Sequence, residues 1–288
     1  MIKYQEPLFR PPAEADSLIF QVAYGCPHNS CRFCGMYKGV KYSVRDIREV
    51  VAEFAAAGKY YSTTQRIFLA DGDVMALPFE TIKLYLTELN KHFPQLSRVN
   101  VYANGSSILD KTAEQLKELR ALKLTSLYLG LESGDQEILD LVTKGESVSE
   151  MIKAVQIAQA SGMRCSVMLL LGLGGKKLSM RHAEKTAEAL NEMQPRLLSA
   201  LRFIEVPGTK MYAGYETVTE YEAVRELREI ISRLELSKTV FRANHTSNPA
   251  PLSGRFPHDK NVLLAELDYL LKGNQLDRSG PGITPFML

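Results

Sequence analysis

The sequence predicts an α/β protein, a partial (β/α)6 barrel of the TIM type with a C-terminal α-helical extension. Three observations carry this. Six short, nearly continuous apolar runs rich in β-branched residues recur through the first two-thirds of the 288 residues. Segments of helical period separate them. Each run also ends in a loop that contains glycine, and most of these loops carry carboxylates, amides or thiols as well.

The runs are Leu18–Ala23, Ile67–Ala70, Val99–Ala103, Ser126–Leu129, Cys165–Leu171 and Leu198–Ile204. Continuous apolar character is what a parallel strand covered on both faces requires. The helical stripes lie between them: Ile47, Val50, Val51 and Phe54, then Ile82, Tyr85, Leu86 and Leu89. Further on come Ala113, Leu116 and Leu119, then Val148, Met151, Ile152 and Val155, and finally Ala183, Ala187 and Leu190. Thr112 with Gln115, Ser147 with Glu150 and Thr217 with Glu220 have the spacing of capping boxes. Consecutive β-then-α units imply right-handed crossovers in a parallel sheet. A doubly wound open sheet is the alternative. After Pro207 two more amphipathic helices are expected, Glu220–Leu234 and Asp259–Leu271, around a polar loop from Arg242 to Pro257. The expected organisation is an N-terminal extension (1–16), a barrel (17–215) and a helical C-terminal extension (216–288).

Composition narrows the function. With 45% apolar residues the chain can bury a full core. Lys+Arg minus Asp+Glu is 35 − 33 = +2, so no strong field favours nucleic acid or an anionic membrane. No apolar run reaches the ~18 residues of a membrane span. The first twelve residues are charged and proline-rich, unlike a signal peptide, so the expected location is cytoplasmic. Four cysteines in such a chain do not read as a disulfide framework.

In a parallel barrel the chemistry collects in loops at the carboxyl ends of the strands. The first loop holds Cys26-Pro27-His28-Asn29-Ser30-Cys31-Arg32-Phe33-Cys34-Gly35. The next ones hold Asp71-Gly72-Asp73, Asn104-Gly105-Ser106, Gly130-Leu131-Glu132-Ser133-Gly134, Gly172-Leu173-Gly174-Gly175 and Glu205-Val206-Pro207-Gly208. Three thiolates on one loop suit an iron–sulfur cluster and leave one iron of a [4Fe–4S] cube open. Other readings compete. Cys26, Cys31 and Cys34 with His28 suit structural zinc. Cys31-Arg32-Phe33-Cys34 alone suits a dithiol redox pair. Cys165, on the fifth run, reads as a buried thiol.

These motifs in this order resemble the radical S-adenosylmethionine (SAM) superfamily. Within it they resemble the branch of oxygen-independent coproporphyrinogen oxidases, methylthiotransferases and Elongator-type enzymes. The resemblance spans roughly Leu18 to Tyr212. It implies an enzyme with one [4Fe–4S] cluster on Cys26, Cys31 and Cys34, which cleaves SAM reductively to a 5′-deoxyadenosyl radical. Four residues separate Cys26 from Cys31, where the family usually has three. By the resemblance Phe33 lies near the adenine, and Asp71-Gly72-Asp73 pack on the methionine amino group. Glu132, with Ser133 in the Gly-x-Glu-Ser-Gly element, contacts SAM, and Lys144 pairs with its carboxylate. Asn104 is a ribose contact and Gly172 borders the adenosine. Met168 stands where some relatives place a ribose-binding Asp.

A low-potential donor, flavodoxin or ferredoxin, is the implied partner. Without a second cysteine set, an auxiliary cluster is not expected. Nor is there room in 288 residues for an added cobalamin, acetyltransferase or tRNA-binding module. The substrate is therefore expected to be a small molecule or a peptide rather than RNA. Catalytic candidates are Arg202 and Glu205 near the sixth run and His245 in the polar loop. Tyr37, Lys38 and Lys41 follow the cysteine loop. The 242–257 loop either folds over the site or satisfies its own backbone. A zinc-stabilised binding protein and a cluster carrier without turnover are the alternative functions.

Overall fold

In the computed structural model, which describes residues 2–282, the apolar runs are strands and the stripes between them are helices. The chain divides into two compact units. The first is built from the residues up to Asn29, Met36–Leu129 and Lys153–Cys165. The second is built from Ser30–Gly35, Gly130–Ile152 and the residues from Ser166 onward.

The first unit begins with β1 (Leu18–Gln21) and a small antiparallel pair, β2 (Ala23–Tyr24) with β3 (Ser43–Val44). Then follow α1 (Ile47–Gly58), β4 (Arg66–Ala70), α2 (Phe79–His92) and β5 (Arg98–Tyr102). The last elements are α3 (Gly105–Leu109), α4 (Ala113–Ala121) and most of β6 (Leu124–Glu132). β1, β4, β5 and β6 pair in parallel in that order. Ile67, Phe68, Leu69 and Ala70 are all buried, as a strand covered on both faces demands. Phe20, Phe54 and Phe93 interlock edge to face between β1 and its helices. The β5–β6 register slips at Val99/Asn100, where the Asn100 carboxamide oxygen takes the Ser126 N–H at 2.9 Å. A side chain thus occupies the donor that the irregularity releases.

The second unit carries α5 (Gln136–Leu141), the start of α6 (Val148–Ala160) and most of β7 (Arg164–Leu171). It continues with α7 (Gly175–Met193), β8 (Leu197–Arg202), α8 (Glu220–Arg233), β9 (Val240–Ala243), β10 (Leu252–Arg255) and α9 (Lys260–Lys272). β7, β8 and β9 run parallel, and β10 closes antiparallel on β9. Mostly parallel strands alternating with helices make up the α/β class the sequence predicts.

Two expectations are corrected. The polar loop from Arg242 to Pro257 contains the end of β9 and all of β10, so the C-terminal extension is not purely helical; residues 283–288 of that extension lie outside the described residues. Phe241 and Ala243 point into the core while Arg242 is exposed. This two-residue alternation is too short to stand out among polar neighbours. The third capping box also shifts. Thr219 and Glu222, not Thr217 and Glu220, exchange hydrogen bonds at 3.1 and 2.8 Å. Glu220 is engaged elsewhere, accepting the Asp277 N–H at 3.0 Å. The Thr112–Gln115 box forms as expected. In the Ser147–Glu150 box the serine hydroxyl accepts the Glu150 N–H at 3.4 Å.

Beneath the loop after β7 lies a buried polar chain. The Glu226 carboxylate, fully buried on α8, accepts the Gly172 N–H at 2.7 Å and the Ser179 hydroxyl at 2.5 Å. His182 Nε2 is 3.5 Å away. Burial holds His182 down to about 4, so it is neutral. Burial also pushes Glu226 up to about 7, against the pull of its hydrogen bonds.

Two predictions follow from these contacts. Thr219→Ala should cost about 1 kcal/mol in urea melts, and Thr217→Ala much less, because only the first removes a helix cap. For Glu226 the folded pKa lies above its ordinary value of 4.5. Its stabilising contribution is therefore complete below that value and is lost as pH rises through about 7. Relative to Glu226→Gln, the wild type should lose on the order of 3 kcal/mol between pH 4 and pH 8. Parallel pH profiles for the two proteins would refute the assignment.

Candidate functional site

The cysteine loop is anchored in the first unit by Asp71, which follows β4 and is almost completely buried. One carboxylate oxygen accepts the Gln21 amide at 3.1 Å and the Gly25 N–H at 3.2 Å; the other accepts the Tyr37 hydroxyl at 3.0 Å. Burial pushes Asp71 up to about 6, countered by these donors. Tyr37, itself 2% exposed, is shifted upward by burial and by the Asp71 charge. Asp71 therefore holds together the end of β1, the start of the cysteine loop and the turn beyond it.

Gly72 completes the brace. Its N–H donates to the Gly25 carbonyl at 3.1 Å. A Cβ at residue 72 would lie 2.7 Å from the Cys26 Cβ and 3.0 Å from the Gly25 oxygen. Only glycine lets the two backbones approach this closely. Asp73 faces a second set of donors, the Asn104 amide at 3.0 Å and the Ser107 hydroxyl at 2.9 Å. Burial raises it to about 6 as well. Ser107, on α3, was not singled out in the sequence; the only signal was its place one residue beyond the Asn104-Gly105-Ser106 loop.

Cys31, Phe33 and Cys34 lie in the second unit. The Arg32 N–H donates to the Val142 carbonyl at 2.8 Å. The Phe33 ring packs on the cluster of Ile138, Val142, Leu173, Phe203 and Met211. Cys26, Cys31 and Cys34 are each half-buried, whereas Cys165 is sealed in the core and burial raises its thiol to about 12. A thiol so placed is inert as a ligand. Among the described residues no three His, Cys, Asp or Glu side chains converge as ligands of one metal ion must. A cubane asks less of its ligands, because each thiolate binds its own iron.

Glu132 ends β6 with a φ of 61°, a left-handed conformation uncommon outside glycine. Its carboxylate folds back over Gly130, where a Cβ would meet the Glu132 Oε1 at 1.8 Å. Lys144 Nζ lies 3.5 Å from the same oxygen, and both side chains are buried. Burial pushes Glu132 up, against the pull of Lys144. Burial also pulls Lys144 down, but the charges of Glu132 and Cys31 outweigh it and hold the ammonium up. The pair thus holds a charged ammonium and a carboxylate side by side in the interior of the unit.

Three of the expected contact residues have partners within the protein itself. Ser133 is fully buried; its hydroxyl is shared with His182 Nδ1 at 2.8 Å and accepts the Asp135 N–H at 3.0 Å. Gly172 has a φ of +81°, and its backbone is engaged on both sides, its N–H with Glu226 and its carbonyl with the Tyr215 hydroxyl at 2.9 Å. Arg202 is buried and held by several partners. Its Nε donates to the Ser247 carbonyl at 2.7 Å, its guanidinium also meets Glu220 at 3.8 Å and the Pro281 carbonyl, and its backbone N–H donates to the Ser247 hydroxyl at 3.1 Å.

Glu205 stands exposed beyond β8. His245 follows β9 and is half-buried, which lowers its pKa. The Ser247 N–H donates to its Nδ1 at 3.2 Å, so a neutral ring carries its proton on Nε2. Asn248 donates to the Ala200 and Ala243 carbonyls at 2.8 and 3.0 Å. This turn satisfies backbone groups, one of the two roles expected of it.

The radical SAM superfamily model matches residues 20–190, more than half of the chain. The tRNA uridine(34) acetyltransferase of Methanocaldococcus infernus is 27% identical over 128 residues, 44% of this chain and 24% of that protein. The chain thus matches about a quarter of that relative's length. Coproporphyrinogen III oxidase from Escherichia coli, a radical SAM enzyme, superimposes with a TM-score of 0.57 at 16% identity, covering 75% of this chain and 51% of that one. The [FeFe]-hydrogenase maturase HydG from Carboxydothermus hydrogenoformans gives 0.52 at 18% identity over 87% and 56%. At such identities the structural likeness speaks for the fold alone. No helix among the described residues is long and apolar enough to cross a membrane. The chain belongs to the radical SAM superfamily and is an enzyme of that class, whose cofactors are a [4Fe–4S] cluster and S-adenosylmethionine.

Proposed function

We propose that Cys26, Cys31 and Cys34 hold the cluster, and that the enzyme abstracts hydrogen from a small-molecule or peptide substrate. The observation that carries this reading is the contrast among the thiols. The three on the loop after β1, inside the family-matched segment, are half-buried and accessible to a ligand, while Cys165 is sealed. When bound, the cluster supplies the electron that splits SAM into methionine and a 5′-deoxyadenosyl radical.

The chain's own residues bind and orient. Lys144 receives the SAM carboxylate, its ammonium kept charged by Glu132 and Cys31. Glu132 accepts from the amino acid end of SAM and is aimed by its fold over Gly130. Asp71 and Gly72 fix the approach of the Cys26 backbone. Asp73 orients Asn104 toward the ribose side. Phe33, backed by Leu173 and Phe203, offers an apolar wall for the adenine. A flavodoxin or ferredoxin delivers the electron. Residues 17–215 form the catalytic unit in this reading, with residues 216–288 as an extension.

Anaerobic reconstitution followed by electron paramagnetic resonance tests the ligand set. Reduced wild type should show a [4Fe–4S]⁺ signal that SAM perturbs. Cys26→Ser, Cys31→Ser and Cys34→Ser should each lose most of the iron, and Cys165→Ser should keep it. Retention of the SAM-sensitive signal in any of the first three, or its loss in the fourth, would contradict the assignment.

A further inference from the structure

Beyond β8 the chain leaves the sheet and lines a shallow groove open to solvent, with a volume of about 450 Å³, within the range of small-ligand pockets. It lies beside the cysteine loop. The Lys210 N–H donates to the Arg32 carbonyl at 3.3 Å, and Phe33 packs on the same apolar cluster as Tyr212 and Tyr215.

The groove's chemistry follows by elimination. Val206 and Met211 contribute apolar surface. Tyr212 and Tyr215 line it too, but their hydroxyls are spent on the Gly174 and Gly172 carbonyls, each at 2.9 Å. Their rings stand edge to face at 5.3 Å. They therefore form a fixed aromatic wall with no hydroxyl donor left for a ligand. The Thr209 hydroxyl is spent as well, donating to the Val206 carbonyl at 2.7 Å. Two polar groups remain, the Glu205 carboxylate and the Lys210 ammonium. Neither side chain makes a hydrogen bond or ion pair among the described residues, although both line one groove.

A ligand that satisfies this lining carries an ammonium for Glu205, a carboxylate for Lys210 and an apolar or aromatic body for the wall. We propose that the groove is a substrate subsite for a free α-amino acid with a large apolar or aromatic side chain. This deepens the function proposed above and rests on that reading. The ordered wall keeps the entropic cost of binding low.

The test is isothermal titration of anaerobic, reconstituted holoprotein, pre-saturated with SAM so that its own amino acid end occupies its site. The probes are L-phenylalanine, L-tyrosine, L-tryptophan, L-leucine and L-methionine, each also as its N-acetyl and carboxamide derivative. At least one free amino acid should bind saturably. Its N-acetyl and carboxamide forms should bind at least about fivefold more weakly, as expected for losing one exposed charge pair. Glu205→Gln should abolish the discrimination against N-acetylation, and Lys210→Met that against the carboxamide. Absence of binding by all five, or binding that ignores both blocking groups or both substitutions, would overturn the proposal. If wild type still forms 5′-deoxyadenosine in that case, the radical function stands and only the subsite falls. If it forms none, the failure lies in the functional reading.

Discussion

The cysteine loop depends on one buried carboxylate, that of Asp71. Asp71 accepts hydrogen bonds from Gln21, Gly25 and Tyr37, three donors spread over 17 residues of chain on one side and a residue beyond β4 on the other. A carboxylate desolvated to this extent is costly unless its oxygens are occupied. Here the occupants are the end of β1, the backbone beside Cys26 and the residues after Cys34. The same charge that would destabilise an unpaired site thus fixes where the loop begins and how it returns. Gly72 then permits a backbone approach to Cys26 that any side chain would block.

The second unit uses the same economy of buried charge in a different arrangement. Glu132 and Lys144 form a pair that is not self-sufficient, because the ammonium also feels Cys31. Deeper in the unit, burial outweighs the hydrogen bonds to Glu226 and the pull of Arg225 and raises it toward neutrality. Its partners Gly172 and Ser179 make it a fastener for the loop after β7. Glu226 lies on α8, outside the segment matched by the family model. The extension therefore reaches back into the loop that the sequence motifs single out.

Much of the fold was legible because burial on both faces leaves a plain mark. The run at Ile67–Ala70 falls on a strand segment buried throughout, and in the run at Cys165–Leu171 only Met168 and Leu170 are partly exposed. β9 was hidden because its three apolar residues, Val240, Phe241 and Ala243, are interrupted by Arg242 and followed by Asn244 and His245. α3, five residues long, has too few turns to show a period. For the helix at Glu220, two Thr-x-x-Glu matches two residues apart both satisfied the spacing, and only tertiary contacts of Glu220 decide between them.

The site was legible as residue types in loops and illegible as directions. Nothing in the sequence distinguishes a polar side chain whose bonding capacity the fold already takes up from one left open to solvent. Asp71, Ser133 and Arg202 are of the first kind, and Glu205 and Lys210 of the second. The account turns on whether this chain performs the radical chemistry of its family. Anaerobic incubation of reconstituted protein with dithionite and S-adenosylmethionine, followed by chromatography, tests that directly. The account predicts 5′-deoxyadenosine and methionine from the wild type and none from a Cys26→Ala, Cys31→Ala, Cys34→Ala triple variant. An intact [4Fe–4S] cluster that yields neither product, or a protein that purifies with stoichiometric zinc in place of iron, would contradict it.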